Sequence, residues 1–149
     1  MNRISGCYVD AEEFRTVNQG LSLMRNMQSR NALREYVVIA LGTNGVTNYV
    51  ALFTQIIEAV NPGHRLILVT PFDGRSNNNS ILTNATAEWM RALPSEYEFV
   101  TIADWNSTAS AQVEVLAGDK VHMGGLPSME LYSDVISAAI GVASQKPSK

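Results

Sequence analysis

The stretch Val37-Val38-Ile39-Ala40-Leu41-Gly42-Thr43-Asn44-Gly45 decides the fold. Its five leading residues are all apolar and three are β-branched, so it reads as a strand buried on both faces of a sheet. The Gly-Thr-Asn-Gly that ends the run is turn chemistry, and a helical pattern follows. In an open α/β sheet, ligands bind at the carboxyl ends of the strands. Asn44 therefore lies where chemistry is expected, and its amide can donate two hydrogen bonds to an anion. The ordinary reading stays open beside this one, because Gly and Asn end strands wherever a positive φ is needed.

Outward from that strand, the apolar pattern alternates between sheet and helix. Residues 65–70 (RLILVT) repeat the continuous apolar run, and residues 96–102 (EYEFVTI) alternate at first, as an edge or half-buried strand does. Residues 4–9 (ISGCYV) form a short strand candidate, with Cys7 a small buried apolar residue and Asp10 placed to cap the next helix. From Glu12 to about Leu33, Phe14, Val17, Leu21, Met24 and Met27 recur at helical spacing. Thr47 or Asn48 can cap a second helix running to Val60, with Tyr49, Phe53, Ile56 and Val60 on one face, and Asn61-Pro62-Gly63 stops it. The polar cluster 76–80 starts a third helix, with Ile81, Ala85, Trp89 and Leu93 on its apolar side.

Residues 106–118 read as a long loop with one helical turn, after a Trp105 that packs on the sheet rim. Pro127 opens a last helix, with rows at Leu131, Val135, Ala139 and at Tyr132, Ile136, Ile140. Residues 145–149 read as a frayed tail. This alternation predicts an α/β fold over residues 1–149, one domain, with a parallel sheet covered by helices on both faces.

Composition limits the function. The 46% hydrophobic and 17% charged content belongs to a globular domain, and a net charge of -3 with no basic stripe argues against nucleic acid as a partner. The single Cys7 excludes an internal disulfide. No apolar run reaches membrane-spanning length, and Met1-Asn2-Arg3 leads into a strand rather than a signal peptide.

A second chemical signal lies near the other end, in Asp119-Lys120-Val121-His122. An Asp three residues before a His can set its carboxylate on the far ring nitrogen, fixing the tautomer of a general base. Arg75, in the loop after the 65–70 strand, reads equally as a holder of a polar substrate group and as an ordinary exposed arginine. Arg15 reads first as a solvated or salt-bridged residue. Ser5 and Cys7 are the other nucleophile candidates, but neither lies on a strand-to-helix turn beside a base.

Taken together, Leu41-Gly42-Thr43-Asn44-Gly45 and Asp119-x-x-His122 resemble the Gly-x-Asn and Asp-x-x-His blocks of the SGNH (GDSL-like) hydrolase superfamily. The resemblance is closest to the SGNH domain of OatA-type peptidoglycan O-acetyltransferases. Val9-Asp10 followed by Arg15, Ala103-Asp104-Trp105, and Gly118-Asp119-Lys120-Val121-His122-Met123 support it. It implies a flavodoxin-like three-layer fold and Ser-His-Asp acyl transfer. His122 would be the base, Asp119 its orienting carboxylate and Asn44 an oxyanion donor, with Gly42, Arg15 and Arg75 on the substrate side. The implied partners are an acyl donor and a carbohydrate acceptor, the implied location is extracytoplasmic, and no cofactor or metal is implied.

Two elements of the family pattern are missing. No Gly-Asp-Ser occurs in the sequence, and Phe14 stands where the family usually has a glycine that helps form the oxyanion hole. The family's strand order is 2-1-3-4-5, and the serine ends strand 1, in the middle. Without that strand, the 4–9 segment is expected to re-pair with 37–41, or another copy or chain to fill the gap, since unpaired backbone inside a sheet is costly. The resemblance therefore implies an acyltransferase or esterase domain that is inactive without its serine segment. The alternative is a non-catalytic α/β module that binds glycan or a protein partner.

Overall fold

A strand persists only where its backbone finds a neighbour, and three of the expected runs do. The computed structural model describes residues 6–149. Within it β1 (Tyr36–Ile39), β2 (Arg65–Val69) and β3 (Val100–Ala103) form a parallel sheet in the order β1-β2-β3. Tyr36 pairs with Arg65, and Leu66 with Val100. From Leu66 to Val69, β2 is at most 3% exposed. Leu66 and Leu68 enter one core, Ile67 and Val69 the other, the period-two alternation of a strand buried on both sides.

The first core is closed by α1 (Val17–Ser29), α2 (Tyr49–Ala59) and α3 (Asn78–Ala92). The second is closed by α4 (Trp105–Ala111) and α5 (Leu126–Ala143). Phe53 and Ile56 of α2 are fully buried, as the spacing predicts, and Ile57 beside them is 1% exposed. Trp105 packs edge to face on Tyr132, with ring centroids 5.0 Å apart, which ties α4 to α5 beneath the sheet. The three-layer α/β architecture expected from the sequence is the one present.

Several local expectations are corrected. Helix α1 starts at Val17, not Glu12, because Thr16 and Gln19 form a reciprocal capping box. Asp10 accordingly caps nothing and pairs with Arg15 instead. Phe14 lies outside the helix and is 83% exposed. On α3 the buried side is Thr83, Thr86, Ala87 and Met90, whereas Ile81 is 67% exposed. The threonines can be buried because each returns its hydroxyl to the preceding turn, Thr83 to Ser80 O (3.1 Å) and Thr86 to Leu82 O (2.8 Å). Strand β3 begins only at Val100, and residues 106–111 of the expected loop belong to the helix α4, started by Asp104, whose side chain accepts from Ser107 N–H. The tail is not frayed. Lys149 N–H donates to His64 O, Gly63 N–H donates to Lys149 O, and the Lys149 ammonium caps the end of α2 at Glu58 O (2.7 Å).

The largest departure concerns the first segment. Residues 6–9 form no strand and make no ladder with β1, and Cys7 is exposed rather than buried; Met1 to Ser5 lie outside the described residues. Arg34 holds Gly6 O from the side, and the segment stands off β1. A trough of about 570 Å³ runs between them, floored and roofed by α1 and α5.

Candidate active site

The site is built on the loops that follow β1 and β2 and on a tight turn before α5. After β1, Gly45 N–H closes a turn on Gly42 O (3.0 Å). Gly45 has φ +73, and a side chain there would run into the amide of Asn79, so both backbone and space require glycine. Asn44 is exposed at the tip of this turn, and no hydrogen bond to its amide forms among the described residues.

The turn of residues 116–123 carries the His. An antiparallel bridge joins Leu116 to Met123, Ala117 N–H donates to His122 O (2.9 Å), and Lys120 N–H donates to Ala117 O (2.8 Å). Asp119 closes the turn from inside. Its Oδ1 accepts from the N–H groups of Val121 (2.9 Å) and His122 (3.0 Å), and its Oδ2 lies 2.6 Å from His122 Nδ1. The His122 side chain, and with it the N–H groups of His122 and Val121, holds the Asp119 carboxyl well below the usual carboxylate range. An ionised carboxylate only accepts, so Nδ1 carries the proton and Nε2 is left as the basic nitrogen. The His122 side chain is 80% exposed, so Nε2 is open to an incoming group.

Asp73 ties these two loops together, and sequence reasoning did not single it out. Its carboxylate is fully buried and takes the Arg75 guanidinium in a two-point grip, Nε to Oδ1 at 2.9 Å and Nη2 to Oδ2 at 2.6 Å. Asn79 donates to Asp73 Oδ2 (2.5 Å) and to Thr43 O (2.7 Å), the residue before Asn44. On the other side Gly74 N–H donates to Lys120 O (2.9 Å), inside the Asp119–His122 turn. A Cβ at Gly74 would lie 2.8 Å from that carbonyl, so this contact too requires glycine. Arg75 and Asn79 hold the Asp73 carboxyl down at about 2 against the cost of burial. The available signal was the spacing Asp73-x-Arg75 in a loop at a strand's carboxyl end.

A second carboxylate fastens the neighbouring strand ends. Burial opposes ionisation of Asp104, but Arg91, Ser107 and Thr70 together outweigh it and bring the carboxyl to about 2. Arg91 grips it through Nε and Nη2 at 2.9 and 3.0 Å, and Thr70 donates at 3.0 Å.

The structure thus gathers Asn44, Gly42, Arg75, Asp119 and His122 on one rim of the sheet. Arg15 is not among them as a free cation. It is gripped by Asp10 (2.5 Å) and Glu12 (3.2 Å), the salt-bridged arrangement that was its first reading. Arg75 is likewise occupied by Asp73, though its side chain remains half exposed. Phe14 has φ 59, the left-handed backbone that suits the glycine it replaces in the family pattern. Among the described residues no cluster of three His, Cys, Asp or Glu side chains could hold a metal ion, and no helix is long and apolar enough to cross a membrane.

No model of a known protein family matches the chain. The C-terminal catalytic domain of Streptococcus pneumoniae peptidoglycan O-acetyltransferase A (OatA), solved with a methylsulfonyl adduct, superposes with a TM-score of 0.93 at 33% identity, over 98% of this chain and 86% of that one. A mutant of the acetyl-xylooligosaccharide esterase Axe2 from Geobacillus shares the fold at a TM-score of 0.67 and 16% identity, over 85% of this chain and 68% of that one. Among curated proteins, the putative peptidoglycan O-acetyltransferase YrhL of Bacillus subtilis (strain 168) is 29% identical over 123 residues, which are 80% of this chain. The match spans only 18% of that relative's length.

Proposed function

The chain belongs to the SGNH superfamily, in the group of OatA-type peptidoglycan O-acetyltransferase catalytic domains, and from that premise we propose that it is the base-bearing part of an acyl-transfer site. The acyl group would pass from an O-acyl donor through a serine to a cell-wall glycan hydroxyl or to water, outside the cytoplasm. His122 Nε2 would take the serine proton as the hydroxyl attacks the acyl carbonyl and return it to the leaving oxygen. Asp119 would hold the imidazole in the required tautomer and stabilise the imidazolium that forms. The Asn44 amide would donate to the oxyanion of the tetrahedral intermediate.

The observation that carries this reading is the Asp119–His122 pair: a 2.6 Å contact on Nδ1, two backbone N–H groups fixing the carboxylate, and an exposed Nε2. These groups deprotonate and orient but do not attack, and no Gly-Asp-Ser stands in this sequence to supply the nucleophile. Removing a triad nucleophile costs several powers of ten in rate, so the chain alone is proposed to be inactive.

The test is hydrolysis of p-nitrophenyl acetate by this chain, beside a version extended upstream to include a Gly-Asp-Ser strand, each with a His122→Ala control. Activity confined to the extended form and lost with His122→Ala is the expected result. His122-dependent activity in the chain alone would reveal another nucleophile, with Ser5 and Cys7 tested next. Silence in both forms would favour the glycan- or protein-binding module.

A further inference from the structure

Among the described residues three other than glycine hold a left-handed backbone: Phe14 (φ 59), Asn31 (φ 53) and Lys120 (φ 60). Asn31 is accounted for by its helix. It follows the end of α1, where its N–H donates to Gln28 O (2.9 Å) and the N–H of Ala32 to Met27 O (2.9 Å), and asparagine tolerates that backbone. Phe14 and Lys120 end no helix, and both are residue types that the left-handed region disfavours. Strain of this kind persists where the side chain has work to do. Neither side chain does that work by packing. Phe14 is 83% exposed. Lys120 is exposed too, and no ion pair among the described residues takes its ammonium, since Asp73 and Asp119 in the adjoining loops are committed to Arg75 and His122. Both residues stand at the carboxyl end of the sheet. A Cβ at Gly20, in the first turn of α1, would strike the Leu41 side chain just past β1, so the chain entering α1 sets Phe14 beside the end of that strand. Lys120 lies in the His122 turn, and its carbonyl is held by Gly74 N–H from the loop after β2 (2.9 Å). The rim that carries Asn44 and His122 thus has an exposed aromatic ring on the β1 side and a free ammonium on the β2 side.

We propose that Phe14 and Lys120 are specificity-determining residues that select an acidic glycan over a neutral one: the Phe14 ring stacks on a pyranose face, and the Lys120 ammonium pairs with a carboxylate on the same sugar chain. That the ligand is a glycan rests on the acyl-transfer reading above; the preference for negative charge rests on these two side chains. A phenyl ring presents a flat apolar face to the C–H side of a sugar ring. An exposed ammonium adds little to affinity but discriminates charge. The surroundings also orient the ligand. Glu12 and Glu13 precede Phe14 and disfavour a carboxylate there, so the charged end of the glycan lies toward Lys120.

The experiment titrates the whole chain, by amide NMR, with two tetrasaccharide probes. One is a hyaluronan tetramer, which alternates N-acetylglucosamine with glucuronic acid; the other is the neutral β-1,4-linked tetramer of N-acetylglucosamine. The chain should bind the acidic probe about threefold or more tighter than the neutral one, and about 0.5 M sodium chloride should erase the difference. Lys120→Gly should remove the preference, and Lys120→Arg should keep it. Phe14→Gly should weaken both probes by about fivefold, and Phe14→Trp should bind both as the parent does. Both glycine variants should melt at a higher temperature than the parent, because the left-handed strain is relieved. Weaker binding by a more stable protein is a signature that a purely structural role would not give. No binding of either probe at millimolar concentration, equal affinity for the two, or unchanged affinities in the glycine variants overturns the proposal. Hydrolysis of p-nitrophenyl acetate by a version extended upstream to include a Gly-Asp-Ser strand is read alongside. Selective binding beside a silent extended version supports the acidic-glycan site and counts against acyl transfer. An active extended version without selective binding removes the acidic-glycan site and leaves acyl transfer standing.

Discussion

Asp73 and Asp119 are the same residue type, stand in loops that touch at one end of the sheet, and both ionise more readily than a free aspartate. Their surroundings separate them. The Asp73 side chain is fully buried, and each of its oxygens is taken by Arg75 or Asn79. The Asp119 side chain is 46% exposed and shares its charge with an imidazole whose second nitrogen faces solvent. The first geometry spends a carboxylate on fastening two loops. The second leaves a proton acceptor at the surface. A depressed carboxyl pKa marks a partner, and burial separates a pair closed between loops from one left open to solvent.

Substitutions can separate the two roles, starting with the largest effect. In a version extended upstream to include a Gly-Asp-Ser strand, His122→Ala should lower kcat for p-nitrophenyl acetate by about a thousandfold or more. Urea midpoints should show stability within about 0.5 kcal/mol of the parent, because the ring is exposed. Asp119→Asn should cost up to about ten thousandfold in kcat by favouring the wrong tautomer, again with a folded protein. Equal losses of stability at Asp73 and Asp119 would break the distinction.

Arg75→Ala should do the reverse of His122→Ala. It strands a buried carboxylate, and the expected loss is about 2–3 kcal/mol, below the figure for a fully buried pair because the Arg75 side chain is half exposed. Its pH dependence is a sharper readout. The folded-state pKa of Asp73 is lowered from 3.8 to about 2, so its contribution is present in full above pH 4 or so and is lost as pH falls toward 2. That window is worth about 1–2 kcal/mol in the parent, and acid titration of the urea midpoint should find it diminished in Arg75→Ala.

Gly74→Ala tests the junction of the two regions. The new methyl would press on Lys120 O, and the expected outcome is a loss of about 1–2 kcal/mol together with a lower kcat in the extended chain. The smallest effect is expected at Phe14. Phe14→Gly relieves a left-handed backbone at an exposed ring, and thermal melting should show a gain of up to about 1 kcal/mol.

The periodic elements were legible because their signals are local. Five apolar residues before Gly42, the stripe of α2 and the rows of α5 each report on a face that must be buried, whatever covers it. The Asp119-x-x-His122 pair was legible for the same reason, since three residues of one turn suffice to bring carboxylate and imidazole together. The buried face of α3 was not. Threonine reads as polar, and its burial at Thr83 and Thr86 depends on hydroxyls turned back to the helix. Nor was the start of α1, where Thr16 and Gln19 outcompete the acidic residues before them.

The sequence by itself determined a parallel α/β sheet, its covering helices, the family resemblance, and the positions of His122, Asp119 and Asn44, because each of these rests on period, turn chemistry or short spacing. The tertiary structure decided what lies between. Asp73 is joined to Thr43 through Asn79 and to the His122 turn through Gly74, contacts that cross loops far apart in the chain. The same holds for the open edge of β1. A strand's apolar run shows that both faces are buried, but pairing is made through the backbone, which every sequence shares, so the side of β1 that no described residue pairs shows only in the assembled sheet.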